Sequence, residues 1–317
     1  MKKKQLVLLG ITILFLILVF NKVDFTEVFN TVKTFNLKYL SIIVIVFLSS
    51  LYVRGIRWKL LLMNNKKYSA LNLAEIFTVG NMLNIFLPAR AGDIYRAYYL
   101  GDTAGEKKLK LFGSIIFERL FDGIAMFCFL LAAVLLYSKA RWILNLTLGI
   151  GTLFIISTLI AYFIFKYKKS RMLYKFLPEG KLRNITRRLI NYLHVFIRGF
   201  SAFNNLPYML LILAFSFIAW GLEAIVAILI INSFGLNLPI LAGIFVLTLT
   251  SFSTMIPSTS VLVGPYQAAY LLALGLFEIE KSQALAISAV HQIILILIFT
   301  ITGSLIMLKF NLNSHHR

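Results

Sequence analysis

The chain alternates between long apolar runs and short polar segments, and the runs approach the length of membrane-spanning helices. The hydrocarbon core of a bilayer is about 30 Å thick, and a helix needs about 20 mostly apolar residues to cross it. Because the bilayer has no water to satisfy a spanning backbone, such runs are expected to be helical. Seven runs meet this condition with short extensions, and they cover residues 5–20, 40–53, 109–137, 143–165, 208–231, 239–256 and 283–308. The pattern predicts an all-α polytopic membrane protein with about seven transmembrane helices.

One further apolar segment is too short to span and ends at a proline. Residues 74–87 would form a helix of about 21 Å at 1.5 Å of rise per residue, and Pro88 follows directly. Asn81 and Asn84 lie on one face of this helix, and basic segments flank it on both sides. We therefore predict a re-entrant helix. Its end, from Pro88 to Gly92, should border a polar cavity, where irregular backbone is tolerated.

A second interruption lies at the corresponding place in the second half of the sequence. Pro257 begins a polar stretch that continues to Gln267, and the short apolar helix that follows reaches only Phe277. Paired interruptions of this kind are the best sequence indication of a transporter's binding site. We predict two re-entrant helices in a single integral membrane domain, 1–317. Its parts are a first half 1–165, a basic cytoplasmic connection 166–207, a second half 208–308 and a polar tail 309–317.

Composition and charge define the class of the protein and an orientation. Apolar residues make up 60% of the chain, and 32 Lys and Arg against 12 Asp and Glu give a net charge of +20. The basic residues concentrate between the apolar runs, which is typical of cytoplasmic loops and not of nucleic-acid binding. We predict a plasma-membrane protein with a cytoplasmic N-terminus and cytoplasmic loops at 54–67 and 166–188. The charges of these loops suggest parallel halves with the C-terminus outside. An inverted repeat would need one more crossing, which only residues 186–203 could supply, and both arrangements stay open.

Ionisable residues within or beside apolar helices are costly unless they are paired or hydrated. Two interpretations stay open for the arginines. They could form ion pairs that hold helices in place, or their guanidinium groups could bind a lipid phosphate through two parallel hydrogen bonds. Glu223 lies deepest and is expected to pair with an arginine. The predicted polar cluster consists of Glu118, Arg119 and Asp122, which share one side of a helix, together with Glu223.

The break at Gly264 adds a possible anion site. It exposes backbone amides at the start of a short helix, where the helix dipole favours negative charge. An ordinary loop turn is the alternative. The candidates for contact with a lipid headgroup are therefore Asn84, Arg90, Asp93, Arg96, Gly264, Tyr266 and Gln267.

The sequence offers little for metal binding or catalysis. Cys128 is the only cysteine and the four histidines form no set of ligands, so we expect no metal and no cofactor. No Ser-His-Asp set or glycine-rich phosphate loop is visible. We do not expect an enzyme.

Three stretches carry a resemblance to a known family. They are LPARAGDIYRAYYLG at 87–101, FERLFDGIAM at 117–126 and IPSTSVLVGPYQAAYLLALGLF at 256–277. In these stretches the sequence resembles the flippase-like membrane domain family, which includes the transmembrane region of lysylphosphatidylglycerol synthases. The resemblance extends from Leu40 to Leu308. It implies a helical bundle with two re-entrant helices around a lipid-sized cavity, and it implies movement of anionic or aminoacylated lipids between leaflets.

The resemblance also assigns positions and marks departures. The positions that match are Asn84, Pro88, Arg90, Gly92, Asp93 and Arg96 in the first motif, Glu118, Arg119 and Asp122 in the second, and Pro257, Gly264 and Gln267 in the third. Asp93 stands where Glu is commoner, and Ser260-Val261 replaces the usual Pro-Gly. The aminoacyl-transferring domain of the synthases is not found in the sequence, so lysyl transfer is not expected.

The expected function is that of a lipid translocator. It would move an anionic phospholipid or a polyprenyl-phosphate-linked lipid between leaflets. The alternative is a membrane scaffold that presents lipid to a separate glycosyltransferase or lipid synthase. The paired charged interruptions favour transport, because a scaffold needs no costly polar interior.

Overall fold

The computed structural model describes residues 25–63, 68–87, 90–167, 190–254 and 264–314, and within these ranges the structure is helical without strands. The helices in chain order are α1 Phe25–Lys33, α2 Lys38–Leu61, α3 Ala70–Phe86, α4 Ala91–Ala104, α5 Lys108–Leu136, α6 Leu144–Tyr167, α7 190–197, α8 Leu206–Asn232, α9 Ile240–Ser253, α10 Pro265–Gly275 and α11 Lys281–Ser314. The 3-10 turns Ser138–Ile143 and Arg198–Asn204 precede α6 and follow α7. Outside the described residues lie the predicted span at 5–20, the basic segments 64–67 and 168–189, Pro88, and the break at 255–263.

Five of these helices are long and apolar enough to cross a bilayer: α2, α5, α6 with the turn before it, α8 and α11. They confirm the polytopic all-α architecture. The predicted span at 239–256 is wrong, because α9 has only 14 residues and covers about 21 Å. The apolar pattern continues past the end of α9 to Ile256, so composition alone does not show where the helix ends.

Each half of the bundle contains a pair of short helices between two long ones, α2 and α5 in the first half and α8 and α11 in the second, and α6 is a third long helix of the first half. The short helices α3 and α4 pack against each other, and α9 and α10 do the same in the second half. The contact between α3 and α4 is very close, since a Cβ atom on Gly92 would lie 1.8 Å from the carbonyl oxygen of Gly80. The chain therefore reverses direction after α3, which is the geometry that a re-entrant segment requires.

The long helices α2 and α8 are antiparallel. At the start of α2, the Asn36 amide donates to the Ser233 carbonyl at the end of α8, with 2.9 Å between nitrogen and oxygen. Nearer the other end of α2, Arg57 Nη1 donates to Ser216 Oγ at 3.0 Å. The first long helices of the two halves thus run in opposite directions.

The remaining helices show that the two halves are inverted. The end of α11 lies beside the start of α3, where Lys309 Nζ is 2.6 Å from Glu75 Oε1. At the opposite face, Tyr137 at the end of α5 donates to the Leu276 carbonyl at the end of α10 at 3.0 Å. The second hairpin therefore leaves and rejoins that face. The loop charges favoured parallel halves, with the C-terminus on the side opposite the basic loops, because residues 239–256 were counted as a crossing, but the sequence left the inverted arrangement open. The structure shows the inverted arrangement.

Aromatic packing holds α5 in place next to the charged residues described below. Phe117 is fully buried, and its ring centroid lies 5.1 Å from that of Phe200 and 4.5 Å from that of Phe203. Both partners belong to the 3-10 turn after α7. This contact orients α5 so that Glu118, the next residue, points into the bundle, where its side chain is 0% exposed.

Candidate functional site

A row of alternating positive and negative side chains crosses the bundle. Its members come from α2, α4, α5 and α8, and each lies within 3.9 Å of the next or in closer contact. In order, this charged chain consists of Glu223, Arg54, Asp122, Arg57, Glu118, Arg96, Asp93 and Arg119. The charges of its four arginines and four carboxylates add up to zero.

The middle of the charged chain is closed to solvent. Arg57 Nη2 lies 2.8 Å from Glu118 Oε1, and Arg96 Nη2 lies 2.9 Å from Glu118 Oε2, with all three side chains 0% exposed. Arg57 also contacts Asp122, which accepts a hydrogen bond from the Trp220 indole at 2.7 Å. Charges buried this deeply are stable only as partners, because removing one leaves the other uncompensated.

Aromatic rings cover the flat faces of two of these arginines. Arg96 Cζ lies 4.3 Å from the ring centroid of Trp58 and 4.6 Å from that of Phe77. Arg54 Cζ lies 4.1 Å from the ring of Trp220. Cation–π contacts of this kind stabilise a desolvated guanidinium. These two arginines are therefore part of the packed interior.

Both ends of the charged chain are more accessible than its middle. The Glu223 side chain is 19% exposed and lies 2.7 Å from Arg54 Nη2, which confirms that this acid pairs with an arginine. At the other end the Arg119 side chain is 30% exposed, and its Nη2 lies 3.1 Å from Asp93 Oδ2.

The three charged residues that share one side of α5 find their ion-pair partners on other helices. In the described ion pairs, Glu118 binds Arg57 and Arg96, Arg119 binds Asp93, and Asp122 binds arginines of α2. Residues three and four apart do share a face of a helix. That face meets α2 and α4, however, whose side chains satisfy the charges across the helix boundaries.

Sequence reasoning missed two members of the charged chain. Arg54 and Arg57 were expected in a cytoplasmic loop, yet they lie inside α2 and are 3% and 0% exposed. A signal was present in the sequence. The two arginines are three residues apart, and Trp58 and Leu61 continue the apolar face of a helix beyond them.

The predicted headgroup contacts divide into two groups. Arg96 is fully buried and paired, so a headgroup could reach it only by breaking its ion pairs. Asp93 is buried between Arg96 and Arg119. Asn84 Oδ1 accepts a hydrogen bond from the Gly92 amide at 2.8 Å, which ties the two helices of the hairpin together.

Arg90 is the exposed arginine at the tip of the first hairpin. It adopts a left-handed backbone conformation with φ of 53° and caps the start of α4. Its Nη2 donates to Thr254 Oγ1 at 3.3 Å. Thr254 follows α9 at the tip of the second hairpin, so hairpins from opposite faces of the bundle meet at this contact.

The start of α10 offers less to an anion than the sequence indicated. Gly264 has φ of 101°, which only glycine adopts readily, and its amide donates to Gln267 Oε1 at 2.8 Å. That donor is therefore already used. Gln267 Nε2 donates in turn to Gln292 Oε1 at 2.8 Å, and the neighbouring Tyr266 is 8% exposed. Gly264 thus caps the start of α10 together with the side chain of Gln267.

No group of three or more His, Cys, Asp or Glu is placed to hold a metal ion within the described ranges. The four acids of the charged chain already bind arginines. His291 contacts the hydroxyl of Tyr270. The arrangement thus offers charge pairing and hydrogen bonding within the membrane.

Comparisons with known proteins agree with this architecture. Residues 5–303 match the family model described as the lysylphosphatidylglycerol synthase TM region. The chain is 30% identical over 216 residues to a UPF0104 membrane protein of Methanocaldococcus jannaschii, with 67% of this chain and 87% of that protein covered. It is 23% identical over 335 aligned residues to a UPF0104 membrane protein of Pyrococcus horikoshii, with 98% and 97% covered. No solved structure matches the chain. Since the family model spans nearly the whole chain, this protein belongs to the family of the lysylphosphatidylglycerol synthase transmembrane region.

Proposed function

We propose that the protein moves a lipid with an anionic headgroup between the two leaflets of the membrane. An anionic phospholipid and a polyprenyl-phosphate-linked lipid both fit this description. The observation that carries the proposal is the contact between Arg90 and Thr254, at 3.3 Å, which joins the tips of two hairpins that come from opposite faces. Transporters place their substrate sites at broken helices near the middle of the membrane, between related halves. A site at this contact could be reached from either face.

Arg90 supplies the chemistry of the site. Its side chain is exposed, and within the described part of the chain no carboxylate forms an ion pair with it. A guanidinium group binds phosphate oxygens through two parallel, charge-assisted hydrogen bonds. The headgroup would exchange water for these bonds on its way across the membrane.

The charged chain supports the site indirectly, because the buried residues in the middle of the chain do not contact the headgroup. It joins α4, which carries Arg90 at its start, to α2, α5 and α8. Such a network costs stability unless every charge is paired. We propose that it keeps the first hairpin rigid while the hairpin tips separate and close around a headgroup.

The test is a leaflet-exchange assay in liposomes of phosphatidylglycerol and phosphatidylcholine, with a phosphatidylglycerol that carries a fluorophore on one acyl chain. Arg90→Lys keeps the charge but loses the two-pronged geometry. We expect it to insert and fold normally and to lose most of the exchange activity. Arg141, an exposed arginine of the turn before α6, is the matched control, and Arg141→Lys should exchange lipid at the wild-type rate.

Two outcomes of the assay would contradict the proposal. If folded Arg90→Ala protein exchanges lipid as fast as the wild type, the headgroup site is not at Arg90. If the wild type gives no exchange above protein-free liposomes for any anionic lipid tested, the translocator proposal fails and a lipid-presenting scaffold becomes the better account.

A further inference from the structure

A buried histidine lies well inside the last helix, apart from the charged chain. His291 comes ten residues after the start of α11 at Lys281, which places it about 15 Å into a hydrocarbon core that is about 30 Å thick. It is 7% exposed. Histidine is the side chain whose charge normally changes between about pH 5 and 8. An ionisable residue at this depth marks a functional site by default.

The contacts of this histidine join the second hairpin to α11. Nδ1 of His291 forms a hydrogen bond with the hydroxyl of Tyr270 on α10, and the centroids of the two rings are 5.8 Å apart. The Tyr266 ring packs edge-on near the same imidazole, with 6.4 Å between centroids. At the next residue of α11, Gln292 Oε1 accepts a hydrogen bond from Gln267 Nε2 of α10 at 2.8 Å. Movement of α10 away from α11 would therefore break the bond between Tyr270 and His291.

The surroundings of His291 suit a neutral imidazole. The helices with the most extensive contacts to α11 are α1, α3, α8 and α10. Their ionisable side chains are Glu27 and Lys33 of α1, Glu75 of α3, Tyr208 and Glu223 of α8, and Tyr266 and Tyr270 of α10. Glu75 pairs with Lys309, which is about 27 Å along α11 from His291, and Glu223 pairs with Arg54. In the part of the chain that the structure describes, no acid forms an ion pair with His291, so an imidazolium here would be an uncompensated charge.

A proton on this histidine is incompatible with the observed packing. A neutral imidazole has one donor and one acceptor nitrogen, whereas both nitrogens of the imidazolium are donors. If the Tyr270 hydroxyl donates to Nδ1, protonation of Nδ1 removes the acceptor of that bond. If Nδ1 donates instead, the new proton goes to Nε2, and the charge remains uncompensated at membrane depth. The packed arrangement therefore holds His291 neutral, and an arrangement that admits water can hold it protonated.

We propose that His291 is a proton-binding site and that a proton taken from water releases α10 from α11. Tyr270 is a positioning residue that holds the neutral imidazole while the two helices are packed together. The proton returns to water before the helices pack again. Acid therefore favours the separated helices. This inference goes beyond the proposed function, because it assigns a site and a ligand that do not involve Arg90.

The first test is the pH dependence of lipid exchange by the full-length protein, with the same pH inside and outside the liposomes. Acyl-labelled phosphatidylglycerol is the probe, and its phosphodiester keeps one negative charge throughout. Since a hydrated histidine titrates near pH 6.5, proton binding should enlarge the separated population about tenfold between pH 7.5 and pH 5.5. We expect wild-type exchange to be faster at the lower pH by about the same factor. Equal wild-type rates at the two pH values would overturn the proposal without any variant.

Variants assign the pH dependence to this site. His291→Gln keeps a neutral hydrogen-bonding side chain, so it should exchange lipid at the same rate at both pH values. Tyr270→Phe leaves a buried imidazole nitrogen without its partner and should raise exchange at the higher pH by about fivefold or more. His194, which is partly buried in α7, is the matched control, and His194→Gln should keep the wild-type pH dependence. A merely structural role of His291 would leave the ratio of the two rates unchanged in His291→Gln, which would place the proton site elsewhere.

A second measurement detects separation of the helices without lipid movement. Ala273 is 0% exposed and lies three residues after Tyr270, on the same side of α10. In a Cys128→Ser background, a cysteine replacing Ala273 should react with N-ethylmaleimide only when α10 leaves its packed position. The rate is divided by that of the same cysteine in His291→Gln protein, which removes the effect of pH on the thiol. We expect this ratio to rise about tenfold between the higher and the lower pH.

The outcomes separate this inference from the proposed function. Lipid exchange that does not depend on pH, together with a constant labelling ratio, would overturn the proton site and leave lipid translocation standing. Acid-dependent labelling of the cysteine at 273 without exchange of any lipid would support the proton site and remove the proposed function. The same pH dependence in the wild type and His291→Gln would show that another group binds the proton.

Discussion

Replacing Arg57 with methionine should destabilise the protein strongly, because two carboxylates lose the partner that they share. Arg57 is 0% exposed and contacts Glu118 and Asp122. Loss of one member of a buried ion pair typically costs about 3 to 5 kcal/mol. Glu118 would keep Arg96 at 2.9 Å, and Asp122 would keep the Trp220 indole at 2.7 Å. We therefore expect the lower end of the range, a fall of about 3 kcal/mol in the free energy of unfolding.

A double-mutant cycle isolates the ion pair from other effects. Asp122→Asn alone should also cost about 3 kcal/mol, whereas the double variant should cost about 2 kcal/mol less than the sum. The free energies are measured by reversible unfolding of the detergent-solubilised protein with increasing sodium dodecyl sulfate. The control is the pair of Lys139 and Glu278, which are 2.6 Å apart but 58% and 78% exposed. It should show no measurable coupling, because solvent screens exposed pairs. Additive losses at Arg57 and Asp122 would refute the charged chain.

Three further predictions concern the fold. Gly92→Ala should lower the Tm by about 5 °C or more, because the added Cβ would lie 1.8 Å from a backbone oxygen. Gly149→Ala is the control and should be tolerated, since no atom lies within 4 Å of the added Cβ. Equal thermal stability of the two variants would contradict the close contact between α3 and α4. In a Cys128→Ser background, single cysteines replacing Thr103 and Asn311 should react with an impermeant thiol reagent from the same side of the membrane, and a cysteine replacing Lys139 should react from the other side. Labelling of the cysteines at 311 and 139 from the same side would rule out inverted halves. Gln267→Leu should cost about 1 to 2 kcal/mol in chemical unfolding, since it leaves the Gly264 amide without its acceptor; an unchanged unfolding midpoint would show that the cap is not formed.

The class of fold could be predicted from the sequence, whereas the relation between the halves could not. Long apolar runs determine membrane helices locally, because a spanning backbone has to satisfy its own hydrogen bonds. The direction of the second half depends on whether residues 239–256 cross the membrane. That depends on the end of α9 near Thr254. Pro257 limits how far the helix can continue, but residues 239–256 before it form an apolar run nearly long enough to span, so the sequence alone does not show that α9 ends at Ser253. Counting residues 239–256 as a crossing favoured parallel halves, which is the alternative that the structure excludes.

The charged residues of the bundle could be singled out from the sequence, whereas their pairings could not. Arg90 and the charged residues of α5 stand out because charge is rare in apolar helices. Their partners depend on which helices pack together, and that is a property of the tertiary structure. Arg54 and Arg57 resembled loop residues because a basic segment follows them. Arg96 resembled a headgroup contact because its burial under Trp58 and Phe77 cannot be seen in the sequence.

The most direct test of the central claim is the rate at which liposomes containing the protein exchange acyl-labelled phosphatidylglycerol between leaflets, measured side by side for the wild type, Arg90→Ala and Arg141→Ala at equal amounts of folded protein. The account predicts rapid exchange for the wild type and Arg141→Ala, and a rate close to that of protein-free liposomes for Arg90→Ala. Equal rates for the three proteins would contradict it.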